Sequence, residues 1–118
     1  MPTRDSEDGA RLLQGTLDLL ILRTLLPGPQ HGQAVARSIQ RESEDVFLVD
    51  HGSLYLALQR LEEHNLVDAT WGVSDHNRRA RFYKLTAKGR SRLTAKTREW
   101  NRIAAAMGRI LGARESEA

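Results

Sequence analysis

The residues best suited to chemistry lie at 76–81, where the chain reads HNRRAR. Asn77, Arg78, Arg79 and Arg81 are donors suited to phosphate oxygens, and arginine carries its charge at every working pH. The stretch 76–102 holds ten Lys/Arg and one acid, Glu99. Such clustering creates a local positive field that attracts polyanions. An ordinary solvated helix face intersperses acids for i,i+4 pairing, and this stretch does not. Residues 1–75 are the opposite, with 6 Lys/Arg against 12 Asp/Glu. Other chemistries lack their residues. His31, His51, His64 and His76 fall on separate elements with no H-E-x-x-H spacing, and PGPQHG lacks the Gly-Lys-Ser/Thr ending of a phosphate loop. Glu42, Glu44, Asp45 and Asp50 cluster without the spacing of a calcium loop. Cysteine is absent, which excludes a thiol nucleophile, a disulfide scaffold and a thiolate metal site. No catalytic residue, metal ligand or cofactor is expected.

The chain that must position these side chains has 118 residues, 40% hydrophobic and 28% charged, enough for one globular unit. Its longest Leu/Ile run is Leu19–Leu22, far short of the ~20 residues of a membrane span. The opening MPTRDSEDGA has no apolar core of a signal peptide, so a soluble cytoplasmic protein is expected.

Helical periodicity dominates the first half. TLDLLILRTLL predicts a central helix over 16–26, capped by Thr16, with Leu12 and Leu13 adding a preceding turn and Pro27-Gly28-Pro29 ending it. Val35, Ala36 and Ile39 predict a short second helix over 31–43. Val46, Phe47 and Val49 in the following connector are expected to plug the core. Leu54, Leu58 and Leu61 predict a third helix over 53–64, capped by Ser53 and stopped by a left-handed Asn65. The period then becomes two. Val67, Ala69, Trp71 and Val73 alternate with polar or small residues, 75–78 is turn chemistry, and 79–85 is a second strand. Trp71 is expected to anchor this hairpin to the core. Thr86 caps a last helix over 87–111.

Three helices followed by a hairpin is the plan of a winged helix-turn-helix, whose third helix enters the DNA major groove while the wing meets the backbone. The fold class expected is therefore mainly α with a small β-hairpin and a long C-terminal dimerisation helix. It divides into a polar tail (1–11), a DNA-binding unit (12–85) and a dimerisation helix with a frayed end (86–118). Ser53, Leu56, Ala57, Gln59 and Arg60 are assigned to the exposed face of the third helix. Glu42, Glu44, Asp45, Glu62, Glu63 and Asp68 should lie at the sides and back.

LLQGTLDLLILRTL, GPQHG, HGSLYLALQRLEEHNLV and NRRARFYKLTAKGR together resemble the PadR family of bacterial transcriptional regulators, from about Leu12 to Trp100. The single C-terminal helix resembles the short form of that family. The resemblance implies a homodimeric repressor on an inverted-repeat operator, often relieved by a small aromatic ligand. It carries Ser53, Tyr55 and Arg60 onto the recognition helix and Asn77, Arg78 and Arg79 onto the wing. Gln33, Arg37, Leu56, Gln59 and Arg81 complete the expected DNA-facing set. For Tyr55 a core role beside Leu54 stands equally open. Leu56 replaces the family's usual proline, and Gln33 its usual tyrosine, and both departures bear on the operator sequence.

Leu93, Trp100 and Met107 recur at seven, as do Ile103 with Ile110 and Ala104 with Leu111. That seam is too long for one small core to cover and predicts a homodimer. Trp100 packs in the seam on this reading, and it also offers a stacking surface for an aromatic effector. The alternative function is a dimerising winged-helix adaptor that contacts proteins and not DNA.

Overall fold

A computed structural model describes the backbone of residues 16–117 and the side chains of residues 16–112. The expectations for the 1–11 tail, Leu12 and Leu13 lie outside the described residues. The leucine-rich run forms helix α1, described over residues 16–24. Leu17, Ile21, Leu22 and Leu25 are at most 2% exposed, which makes this helix the centre of the core. Thr16 is itself helical and is not the N-cap. Leu25 and Leu26 fall in the turn that Pro27 enforces, closed by the Gly28 N–H donating to the Leu25 carbonyl.

Strand β1 (Gln30–His31) follows, and the sequence pattern did not reveal it. Its two residues pair antiparallel with Tyr83 and Phe82, and the Gln30 amide donates to the Thr24 carbonyl at 2.8 Å. Helix α2 (Gly32–Glu42) is capped by His31, whose Nδ1 accepts the Ala34 N–H, and it buries Val35, Ala36 and Ile39 as expected. Glu44 and Asp45 then turn left-handed, at φ 52° and 66°. In the connector Phe47 and Val49 pack on the core, but Val46 is 75% exposed and plugs nothing.

Helix α3 (His51–Glu63) begins two residues earlier than its periodicity suggests. Asp50 is the N-cap: its carboxylate accepts the Ser53 N–H at 2.9 Å and the Ser53 hydroxyl at 3.1 Å. Ser53 therefore sits inside the first turn. Leu54, Ala57, Leu58 and Leu61 face the core, so Ala57 leaves the exposed set. The helix stops as the sequence indicated. Asn65 lies at φ 61°, its N–H donates to the Glu62 carbonyl, and the Leu66 N–H donates to the Leu61 carbonyl.

Strands β2 (Val67–Val73) and β3 (Arg79–Leu85) pair antiparallel, with Val67 opposite Leu85 and Val73 opposite Arg79. The sheet order is β1-β3-β2. Helix α4 (Ala87–Glu117) is seated by Thr86, which caps it by accepting the Gly89 N–H and donates to the Asn65 carbonyl at 2.7 Å. Gly89 touches the Leu66 backbone so closely that a side chain there has no room. Leu93 is 6% exposed and belongs to its own chain's core. This removes it from the predicted intermolecular seam. Beyond it, Trp100, Ile103, Met107, Ile110 and Leu111 are each 47–57% exposed, and Ala104 is exposed beside them.

Candidate nucleic-acid interface

Helix α3 turns its apolar stripe inward, which leaves Ser53, Tyr55, Leu56 and Gln59 facing out. The Asp50 cap holds the first turn, and the hydrogen bonds from Ser53 keep the Asp50 carboxyl below the ordinary aspartate range. Tyr55 resolves towards the surface. It is 44% exposed, and its ring lies over Gly32, where an added Cβ would come within 2.7 Å of the Tyr55 hydroxyl. Gly32 is thus small to admit Tyr55 and dock α3 on the start of α2.

The wing tip is a three-residue turn. The Asn77 N–H donates to the Ser74 carbonyl, the Ser74 N–H donates to the Arg78 carbonyl, and Asn77 sits at φ 57°. Asparagine tolerates that left-handed bulge position at low cost. Arg78 and Arg79 have no acidic partner among the described residues. Arg79 lies 4.5 Å over the Trp71 ring. Trp71 is 60% exposed, because β2 runs beyond the core as it approaches the tip. It supports arginines and does not anchor the wing to the core.

Between α3 and the wing lies an open cleft of about 1060 Å³. It gathers Gln33, Tyr55, Gln59, Arg78, Arg79 and Arg81 from the expected set. Arg37 is exposed but borders a separate shallow groove with Gln40, Arg41 and Asp45. Ser53, Leu56 and Asn77 are exposed outside the cleft lining. Arg60 stands apart: its guanidinium pairs with Asp18 of α1 at 2.9 Å. Arg81 pairs with Glu62 of α3 at the same distance.

Sequence reading missed His31, Trp71, His76 and Tyr83 as cleft residues. Hairpin register was the available signal, since it places Trp71 opposite Arg81 once the turn is fixed. Glu62 and Glu63 line the cleft, against the expectation that acids keep to the sides and back. Burial pushes the Tyr83 phenol up, so it adds no negative charge to the cleft at neutral pH.

A basic wing beside an exposed helix face is a means of holding a polyanion. The family comparison decides which class of protein uses it here. The model of the "Transcriptional regulator PadR-like family" matches residues 21–95, well over half of the chain. The chain belongs to the PadR-like family of transcriptional regulators. A solved PadR family transcription regulator from hypervirulent Clostridium difficile is 31% identical, with a TM-score of 0.70, covering 81% of this chain and 98% of that one. A transcriptional regulator from Clostridium thermocellum shares the fold, with a TM-score of 0.75 at 22% identity, covering 84% of this chain and 96% of its own. An uncharacterized protein of Lysinibacillus sphaericus is 30% identical over 93 residues, which are 78% of this chain and 84% of that one. Membership makes this PadR-like chain a DNA-binding transcriptional regulator and not an enzyme. No helix among the described residues is long and apolar enough to cross a membrane.

Proposed function

We propose that the protein is a homodimeric repressor that binds an inverted-repeat operator. One observation carries the reading. Tyr55 and Gln59 of the exposed α3 face and the wing arginines Arg78 and Arg79 lie on the two walls of one cleft, and those two arginines have no acidic partner among the described residues. Ser53, Tyr55, Leu56 and Gln59 read base edges, with Leu56 suited to a thymine methyl. Asn77, Arg78 and Arg79 hold phosphates, and Gln33 and Arg37 approach the backbone from α2. Arg60 is left out of the base-reading set, because Asp18 occupies its guanidinium.

The half-exposed seam from Trp100 to Leu111 supplies the dimer, and in our reading residues 86–118 serve assembly only beyond Leu93. Paired Trp100 rings in that seam offer stacking surfaces to a flat aromatic effector. Two recognition helices related by a two-fold axis then meet major grooves about 34–36 Å apart.

The test is duplex binding over a range of salt. Arg78→Ala with Arg79→Ala weakens binding to all sequences and lowers the slope of log affinity against log salt by about 1.8, at ~0.9 per phosphate contact. A purified dimer that shows no salt-dependent affinity for the DNA upstream of its own coding sequence would replace this reading with a protein-contacting adaptor.

A further inference from the structure

Arg81 was expected to contact DNA, yet its surroundings describe a different task. Its Nη2 lies 2.9 Å from Glu62 Oε2, and the two side chains are 39% and 35% exposed. Its guanidinium carbon sits 6.0 Å from the Trp71 ring and 5.8 Å from the Tyr83 ring. Its Nε is shut off from solvent with no hydrogen-bond partner. The charge of Arg81 is thus engaged by Glu62, while two rings and the carboxylate fix where its head group stands.

The wing needs such a support. Trp71 and Val73 are 60% and 65% exposed, so the outer half of the hairpin has left the core. A two-stranded ribbon without a packed face is weakly determined in its twist and angle. Among the described residues, Arg81–Glu62 is the only ion pair that joins the sheet to α3. It stands in the cleft that the recognition helix and wing share, and it neutralises an acid that would otherwise face phosphate.

We propose that Arg81 and Glu62 form a strut that fixes the angle between wing and recognition helix, with Arg81 a positioning residue and not a phosphate contact. The proposal rests on the DNA-binding reading of α3 and the wing. The strut raises discrimination because base contacts from α3 and backbone contacts from the wing are made together only at one angle. It adds no counterion release, since the guanidinium is already neutralised.

The experiment uses two duplexes of equal length, one selected by the wild-type protein from a random library and one of random sequence. Affinity for each is measured over a range of salt for wild type, Glu62→Gln, Arg81→Met, the double variant and Arg81→Lys, with thermal melts confirming the fold. Arg81→Met exposes a bare carboxylate and weakens random-duplex binding; Glu62→Gln frees a cation and strengthens it. Both lower the selected-over-random affinity ratio about tenfold, a small part of the range such ratios span. The double variant returns random-duplex affinity to within about twofold of wild type, because local charge is balanced again, yet its ratio stays low. Arg81→Lys keeps the charge and loses the planar fork, so it lowers the ratio at unchanged random-duplex affinity. It also tests the strut should the methionine variant fold poorly.

Recovery of the ratio in the double variant would show charge balance alone at work and overturn the strut. A silent Glu62→Gln, with an Arg81→Met salt slope lower by about 0.9, would make Arg81 a phosphate contact and overturn it equally. Wild-type protein that selects no duplex defeats the DNA-binding reading itself, and the strut with it.

Discussion

Single residues show which sequence signals reach the structure intact. Asn65 and Thr86 act as their types suggest, because a left-handed stop and a hydroxyl cap involve only neighbouring backbone. Asp50 and Ser53 are both cap formers, three positions apart, and the sequence alone does not choose between them. The carboxylate wins the cap and the hydroxyl donates to it. Asp50→Ala accordingly frays the start of α3 and lowers the melting temperature at neutral pH. The Asp50 carboxyl titrates below its ordinary range in the folded state, so its contribution is present above the unfolded value. That contribution fades as pH falls through the lowered one. Melting curves of wild type and variant should therefore converge in strong acid, and a gap that persists there would assign the effect to something other than the ionised cap. The ion pairs of Arg60 and Arg81 were hidden from the sequence for one reason. A sequence displays a charge but not the acid 42 or 19 positions away that engages it.

At the scale of elements, periodicity located the helices and the hairpin, since those patterns extend over several turns or strand residues. It missed β1, which is two residues long and has no period to show. It also placed Glu62 and Glu63 wrongly, because which side of α3 meets the wing depends on how the sheet docks. The start of α4 packs directly on the backbone that links α3 to β2. Gly89 of α4 lies against the Leu66 backbone, and Thr86 ties α4 to the Asn65 carbonyl. A methyl group at 89 meets main chain that has no rotamer to change. Gly89→Ala should destabilise by about 3 kcal/mol, at the upper end of overpacking costs. The midpoint of urea unfolding tests this, and an unchanged midpoint would mean that α4 is not seated where described.

For the whole molecule, burial falls abruptly along α4. Leu93 is part of the core, while the apolar residues from Trp100 onward are half-exposed. On the proposed dimeric reading, that division separates folding from assembly. Trp100→Asp with Met107→Asp should yield a monomer that melts as a folded protein, because neither side chain is needed by the core. Sedimentation velocity beside circular dichroism distinguishes this from loss of fold, and an intact dimer would place the seam elsewhere. The sequence pattern foretold the stripe but could not show where self-packing ends, since Leu93 and Trp100 occupy the same heptad phase.

The uninterrupted run of α4 from Leu93 to the seam couples distance to rotation. Each residue of a helix advances ~1.5 Å and turns by ~100°. Seven residues inserted between Leu93 and Trp100 would return the stripe to within ~20° of its original bearing and move it out by ~10.5 Å. Three inserted residues would leave it ~60° off on one side and four ~40° off on the other. The seven-residue insertion should still dimerise but prefer half-sites at a new separation, whereas the three- and four-residue insertions should dimerise poorly. On the proposed dimeric reading, α4 is a threaded spindle between two reading heads, and operator spacing is written in its residue count.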